Sequence, residues 1–314
     1  MKPKITAIIC THNPRPDYLR RVLDALRAQS LPQSQWELLL VDNVSQDALA
    51  ETWDLSWHSN ARHVREDELG LTPARLRGIA EARGQILTFV DDDNVLDRCY
   101  LKGALEIALE YPFVGAWGGT VRGEFETKPE EWAEPVLCYL ALREISKVSW
   151  SNNVTDGLAH PCGAGLCVRA TVAKEYAEQV EKNPTRRRLD RVGQSLSSGG
   201  DYDLIETSCD LGLGFGNFPT LMMTHLIPSH RVRLDYLLRL LRGCIVSGVV
   251  LRYAQSHTLP PKPSPIKVGA RYILTCLTRG YHQARIFKAE RDAVRIGIQT
   301  AESSLFVESS KISD

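Results

Sequence analysis

At 314 residues, with 43% hydrophobic and 24% charged side chains, the chain can bury a sizeable core and is neither a disordered nor a fibrous polymer. Lys plus Arg balance Asp plus Glu at 38 each, so the whole molecule has no electrostatic footprint for nucleic acid and must bind any anion locally. Eight cysteines form no CxxC pair and no zinc-like spacing with histidine, which predicts reduced thiols.

Ile5 to Cys10 is a β-branched apolar run followed by Thr11-His12-Asn13-Pro14, the pattern of a buried strand ending in a loop. From Asp17, placed to cap, Leu19, Val22, Leu23 and Leu26 recur at helical spacing. A second apolar run, Leu38 to Val41, stops at Asp42-Asn43-Val44-Ser45-Gln46-Asp47. Thr72-Pro73 then reads as an N-cap and first helical residue, with Leu76, Ile79 and Ala80 on the inner face and Gly84 after the helix. Ile86 to Val90 is a third strand, followed directly by Asp91-Asp92-Asp93-Asn94 and by a helix over about Leu101 to Glu110. This alternation predicts an α/β fold with a mostly parallel sheet, helices on both faces, and ligands at the carboxyl ends of the strands.

Beyond this the pattern weakens. Thr120 to Asn153, rich in Trp, Pro and Glu, predicts a loop-rich insertion, and Thr185 to Gly200 a mobile loop. After Pro228 the chain turns helical, broken at Leu259 to Pro265. No run approaches the roughly 20 apolar residues that span a bilayer. Met1-Lys2-Pro3-Lys4 enters the first strand with no signal-peptide pattern, so the expected location is cytoplasmic.

Three adjacent carboxylates raise one another's pKa unless a cation offsets them. Asp91 and Asp93, two apart in extended backbone, project to one side, and all-oxygen ligands of this kind suit Mg²⁺ or Mn²⁺. A solvated acidic turn is the alternative. With Ile8-Ile9-Cys10-Thr11-His12-Asn13, Val41 to Asp47, Gly70-Leu71-Thr72-Pro73-Ala74-Arg75-Leu76-Arg77-Gly78 and Phe89-Val90-Asp91-Asp92-Asp93 in this order, the chain resembles glycosyltransferase family 2. Gly163-Ala164-Gly165-Leu166-Cys167-Val168-Arg169 is similar to that family's acceptor-side glycine segment, and Gly199-Gly200-Asp201-Tyr202-Asp203-Leu204 to its catalytic segment.

The resemblance implies a GT-A fold over residues 1–232, a helical C-terminal extension over 233–314, and inverting transfer from a nucleotide-diphosphate sugar, with UDP-sugar the expected donor. It implies donor contacts at Thr11, Asn13, Asp42, Arg75, Asp91 and Asp92, and a metal ligand at Asp93 with Asp91 at the metal or ribose edge. Asp201 is the implied general base, with Asp203 its competitor. His225 either completes the metal shell or is structural. Gly163 and Trp150 fall on the acceptor side. Trp117, Trp132 and Trp150 either stack on sugars or pack internally.

Leu76, where the family commonly has asparagine, and Gly200, where an acidic residue usually precedes the base, depart from the pattern. They keep open a catalytically inactive nucleotide-sugar sensor. A sugar-1-phosphate nucleotidylyltransferase fits less well, because no glycine follows the first strand. The expected acceptor is a glycan or lipid-linked glycan in surface polysaccharide synthesis, with no nucleic acid partner. Leu234 to Leu251 reads as a basic amphipathic helix that either touches an anionic inner leaflet or packs internally.

Overall fold

The computed structural model describes residues 2–187, 189–191, 193, 196 and 198–309. These group into two units. The first takes in the chain up to Glu126, then Ala141–Arg188 and Gly200–Ile227; the second takes in Thr127–Leu140, Leu189–Gly199 and the chain from Pro228 onward.

In chain order the first unit has β1 (Ile5–Thr11), α1 (Pro16–Arg27), β2 (Trp36–Asn43), α2 (Leu49–Thr52), β3 (Ala61–Glu66), α3 (Leu71–Glu81), β4 (Ile86–Val90) and β5 (Asn94–Leu96). There follow α4 (Tyr100–Glu110), β6 (Val114–Phe125), β7 (Ser149–Ser151), β8 (Cys167–Arg169), α5 (Ala170–Lys182), α6 (Pro184–Arg187), α7 (Gly200–Asp210) and β9 (Gly214–Ile227). The strands form one sheet in the order β3-β2-β1-β4-β8-β6-β9-β5, with β7 on β9. Every strand of five or more residues runs parallel to the others, as the alternation predicts. The three-residue strands β5, β7 and β8 supply the antiparallel pairings and make the sheet mixed.

Helices cover both faces because alternate side chains of each buried strand face opposite ways. Ile5, Ala7, Ile9, Leu38 and Leu40 join α1 and α4 in one core; Ile8, Leu39 and Val41 join α3, α5 and α7 in the other. Gly78 lets α3 lie close to the sheet, since a Cβ there would stand 2.6 Å from Ile8 Cγ2.

Several local expectations change. Asp17 does not cap α1; it sits in the first turn and pairs with Arg15 at 2.6 Å. α3 starts at Leu71, with Gly70 as its N-cap at φ 148°, so Thr72 and Pro73 lie inside the helix. The expected insertion from Thr120 begins as the second half of β6. Of the run expected to be a mobile loop, 184–187 forms α6, and Arg188, Val192, Gln194, Ser195 and Ser197 lie outside the described residues.

The second unit contains a 3₁₀ segment (Glu131–Leu140), α8 (Leu234–Ser256), α9 (Pro265–Arg279) and α10 (Tyr281–Ser309). Gly280, at φ 85°, adds a second break, so among the described residues the helical tail has three long pieces rather than two. The α8 stripe packs internally. Leu237, Leu238, Leu240, Leu241 and Leu251 are buried, and α8 lies against α10 and the 3₁₀ segment. The two long helices approach closely at Gly297, where a Cβ would stand 2.8 Å from Val249 Cβ.

Candidate functional site

The parallel strands β2, β1 and β4 end side by side, and their following residues form one polar rim. Thr11 pairs in register with Asp42, and Ile9 with Val90, which places the Asp91-Asp92-Asp93 turn level with the end of β1. The Thr11 hydroxyl is buried and donates to the Asp92 carboxylate. Loops after β1 and β2 are tied together as well. The Asn13 amide donates to Ser45 Oγ at 3.0 Å, the Gln46 amide to Asn13 Oδ1 at 2.9 Å, and His12 Nδ1 lies 2.7 Å from the Asn43 carbonyl. Asn13 takes φ 50°, a left-handed conformation that asparagine tolerates better than most residues.

Asp42 is buried. Its carboxylate accepts from the Ser45 amide at 2.9 Å, the Leu49 amide at 3.2 Å and Arg65 Nη1 at 2.7 Å. Burial opposes its ionisation, but the hydrogen bonds from Ser45, Leu49 and Arg65 outweigh that and hold the carboxyl below its ordinary value. Three of the lone-pair directions expected to meet a nucleotide base are thus taken up in shaping the loop. Arg75, buried on α3, holds its guanidinium 6.0 Å from the centre of the Phe89 ring, two residues before Asp91.

Asp93 is the buried member of the three aspartates; Asp91 and Asp92 are half-buried. One Asp93 oxygen accepts from Asn94 Nδ2 at 2.9 Å, and the other lies 3.3 Å from His225 Nε2. The pair is set by strand register: β5 runs antiparallel to β9 with Asn94 opposite His225, and the Leu226 amide donates to the Asp93 carbonyl at 2.8 Å. An imidazole and a carboxylate from distant parts of the chain thereby share one buried spot.

The glycine segment Gly163–Leu166 closes the other side. Leu166 accepts from the Phe89 amide at 2.8 Å, so this turn lies at the carboxyl end of β4. Gly165, at φ 68°, accepts at its carbonyl from the Tyr100 hydroxyl at 2.7 Å; a Cβ on it would stand 2.7 Å from Met223 Sδ, two residues from His225. Gly163 faces α7. A Cβ there would stand 2.8 Å from the Cβ of Asp201. Asp201, in the first turn of α7, also accepts from the Tyr202 amide at 3.0 Å.

The structure separates the two base candidates and the aromatic ones. Asp203 is buried and receives Arg186 Nε at 2.8 Å, so it holds α6 on α7 rather than facing an acceptor. Trp150 does not reach the site. It pairs with Gly216 on β9, nine residues before His225 on the same strand; the paired stretch of β6, Trp117 to Gly123, covers that interval in six positions, about 20 Å at 3.3 Å per residue. There it packs against Phe113 at 4.7 Å. Trp117 is fully buried in the core, and Trp132 stacks on His282 in the second unit.

Sequence reasoning missed Asn94, Arg65, Arg186 and His160. His160 is buried and stacks on Tyr202 at 4.2 Å with 20° between the rings, supporting the residue next to Asp201. Asn94 was adjacent to a recognised motif and so could have been found. The other three depend on long-range packing.

A divalent ion fits this rim in one respect. Asp93 and His225 present an oxygen and a nitrogen to one spot, with the Asp91 carboxylate on the same turn, and Mg²⁺ or Mn²⁺ sites commonly use one or two protein ligands and fill the rest with phosphate and water. Among the described residues no ready-made cluster of three or more His, Cys, Asp or Glu is present.

Comparison with known proteins agrees with this architecture. Residues 6–175 match the family described as glycosyl transferase family 2. Glycosyltransferase AglE of Haloferax volcanii is 31% identical over 29% of this chain and 31% of its own length. The putative glycosyltransferase EpsH of Bacillus subtilis is 27% identical over 34% of this chain and 30% of its own. The chain thus spans less than a third of the length of these relatives. The crystal structure of S. aureus TarS, 13% identical, superposes with a TM-score of 0.51 over 93% of this chain and 55% of TarS, a likeness of fold. With its family match covering more than half of its residues, the chain belongs to glycosyl transferase family 2.

Proposed function

We propose that the chain transfers a sugar from a nucleotide-diphosphate donor, a UDP-sugar, to an acceptor hydroxyl with inversion at the anomeric carbon. The observation carrying this reading is that Asp201, held against Gly163, stands on the same rim of the sheet as the Asp93–His225 pair. Thr11, Asn13, Asp42 and Arg75 shape the donor side: the first three fix the loops after β1 and β2, and Arg75 brings positive charge beside the acidic turn.

Asp93, His225 and Asp91 would hold a divalent cation, which would supply positive charge next to the diphosphate. Asp201 takes the proton from the acceptor hydroxyl as its oxygen forms a bond to the anomeric carbon. The bond from that carbon to the diphosphate breaks, and its electron pair leaves with the nucleoside diphosphate. One displacement inverts the centre, and no protein nucleophile is needed.

Thermal stabilisation by UDP-, GDP- and dTDP-sugars, with and without Mg²⁺ or Mn²⁺, identifies the donor. Asp201→Asn is expected to keep that stabilisation and lose turnover; Asp93→Ala is expected to lose turnover and the metal-dependent part of the stabilisation. Full activity of Asp93→Ala, or transfer indifferent to a chelator, would sink the metal assignment.

A further inference from the structure

We infer that α9 is a membrane-surface helix, whose outward face inserts into the headgroup region of a bilayer rich in anionic phospholipid. This inference is independent of the transfer chemistry. It starts from charge: between Tyr236 and Ala289 the chain carries nine Lys and Arg and no Asp or Glu, within a molecule whose overall formal charge is zero. Such a local excess is absent from the rest of the sequence.

The second observation is the shape of α9 itself. Its inner face carries Val268, Tyr272, Thr275 and Cys276, all buried or half-buried, and α9 packs on α10. The opposite face is also apolar. Ile266, Ala270, Ile273 and Leu277 recur at helical spacing with Leu274 beside them, and they are exposed: Ile266 is 85%, Ile273 61%, Leu274 47% and Leu277 81% accessible. Tyr281, also exposed, continues the stripe into α10. Contiguous apolar surface of this kind marks an interaction site rather than ordinary solvated helix.

Charge selects the occupant. Lys267 and Arg271 flank the stripe and Arg279 ends the helix, and among the described residues no carboxylate pairs with any of them. Lys262, just before the helix, does pair, with Glu302 at 2.9 Å. An apolar stripe bordered by cations, with tyrosine near its edge, matches the interface of an anionic bilayer, where hydrocarbon lies beneath phosphate. A nucleic acid would match the cations and leave the stripe in water. No helix among the described residues is long and apolar enough to cross a membrane, so the contact lies in the plane of the surface.

The test is co-sedimentation of the full chain with vesicles of phosphatidylcholine alone and of phosphatidylcholine with about one third phosphatidylglycerol. Binding to the second and not the first is expected. Each cation near such a surface contributes about fivefold in affinity, so Lys267→Glu with Arg271→Glu should weaken binding about 25-fold or more. Ile273→Glu with Leu277→Glu should abolish it; both residues are exposed, and an unchanged melting temperature would show that the fold is intact. Binding that survives the stripe variant overturns the inference. So does a dimer in solution that the stripe variant dissociates, which would give the stripe to a second copy. Capture by duplex DNA that displaces the vesicles and ignores the stripe variant would assign the cations to nucleic acid and equally overturn it.

Discussion

Asp201 and Gly163 pack so closely that no side chain larger than hydrogen fits between them: a Cβ on Gly163 would stand 2.8 Å from the Asp201 Cβ. The carboxylate therefore owes its position to a glycine 38 residues earlier in the chain. Gly163→Ala should displace Asp201 by a fraction of an ångström or more and lower kcat about 100-fold. Donor binding, followed by nucleotide-sugar stabilisation of the fold, should change little. An alanine variant with normal kcat would remove Asp201 from the reaction.

Asp203, by contrast, should behave as a structural residue. Its partner Arg186 also donates to Thr207 Oγ1 at 3.3 Å, so removing the carboxylate strands a partly buried guanidinium. Asp203→Ala is expected to destabilise the fold by roughly 3 kcal/mol in urea unfolding, and Asp203→Asn, which keeps an acceptor, by less. Turnover of the folded Asp203→Asn variant should persist, in contrast to Asp201→Asn.

His58 and His63 predict how stability responds to acid. Burial pushes both imidazoles below their ordinary value of 6.5, outweighing the opposing influence of Glu37 on His58 and of the Trp53 backbone, Asp42 and Asp54 on His63. The folded state therefore resists protonation that the unfolded state accepts. Stability is fully present above about 6.5 and falls as pH drops below it. The melting temperature should decline between neutral pH and about pH 5, and a His58→Asn, His63→Asn double variant should decline less over that range. Because His58 Nδ1 accepts from the Asn60 amide at 3.1 Å, asparagine keeps an acceptor there.

Asp42 offers a further test of loop order. Asp42→Asn should disturb the acceptor set for Ser45, Leu49 and Arg65 and destabilise the fold by about 1–3 kcal/mol, the penalty for an imperfectly matched buried polar group. Donor affinity should weaken with it, since Ser45 also anchors Asn13. Isothermal titration with the donor nucleotide checks the second effect and denaturant unfolding the first.

The strands legible in the sequence are those buried on both faces. β1, β2 and β4 each contain an apolar run long enough to read as a buried strand, and the polar residues at its carboxyl end stand out against it even where, as with Asp42 and Asn43, they are still part of the strand. β6 and β9, the two longest strands, were hidden by their own glycines and by Pro219. Those residues are needed where the pair breaks register between Gly118 and Thr120, for a Cβ on Gly119 would stand 2.6 Å from Leu221 Cβ. The three-residue strands are too short to show any period. Among candidate site residues, Asp93 and Asp201 were legible as motif positions. Trp150 was misplaced because an aromatic side chain near a glycine-rich segment says nothing about which end of a strand it joins.

The pairing of β6 with β9 also constrains synthesis. Residues 114–125 emerge from the ribosome long before Gly214–Ile227, and until the later strand arrives one long side of β6 has no parallel neighbour. A twelve-residue strand with an unpaired side is a template for pairing with another chain. Fragments of the chain that end before β9 are therefore expected to aggregate, whatever motifs they retain.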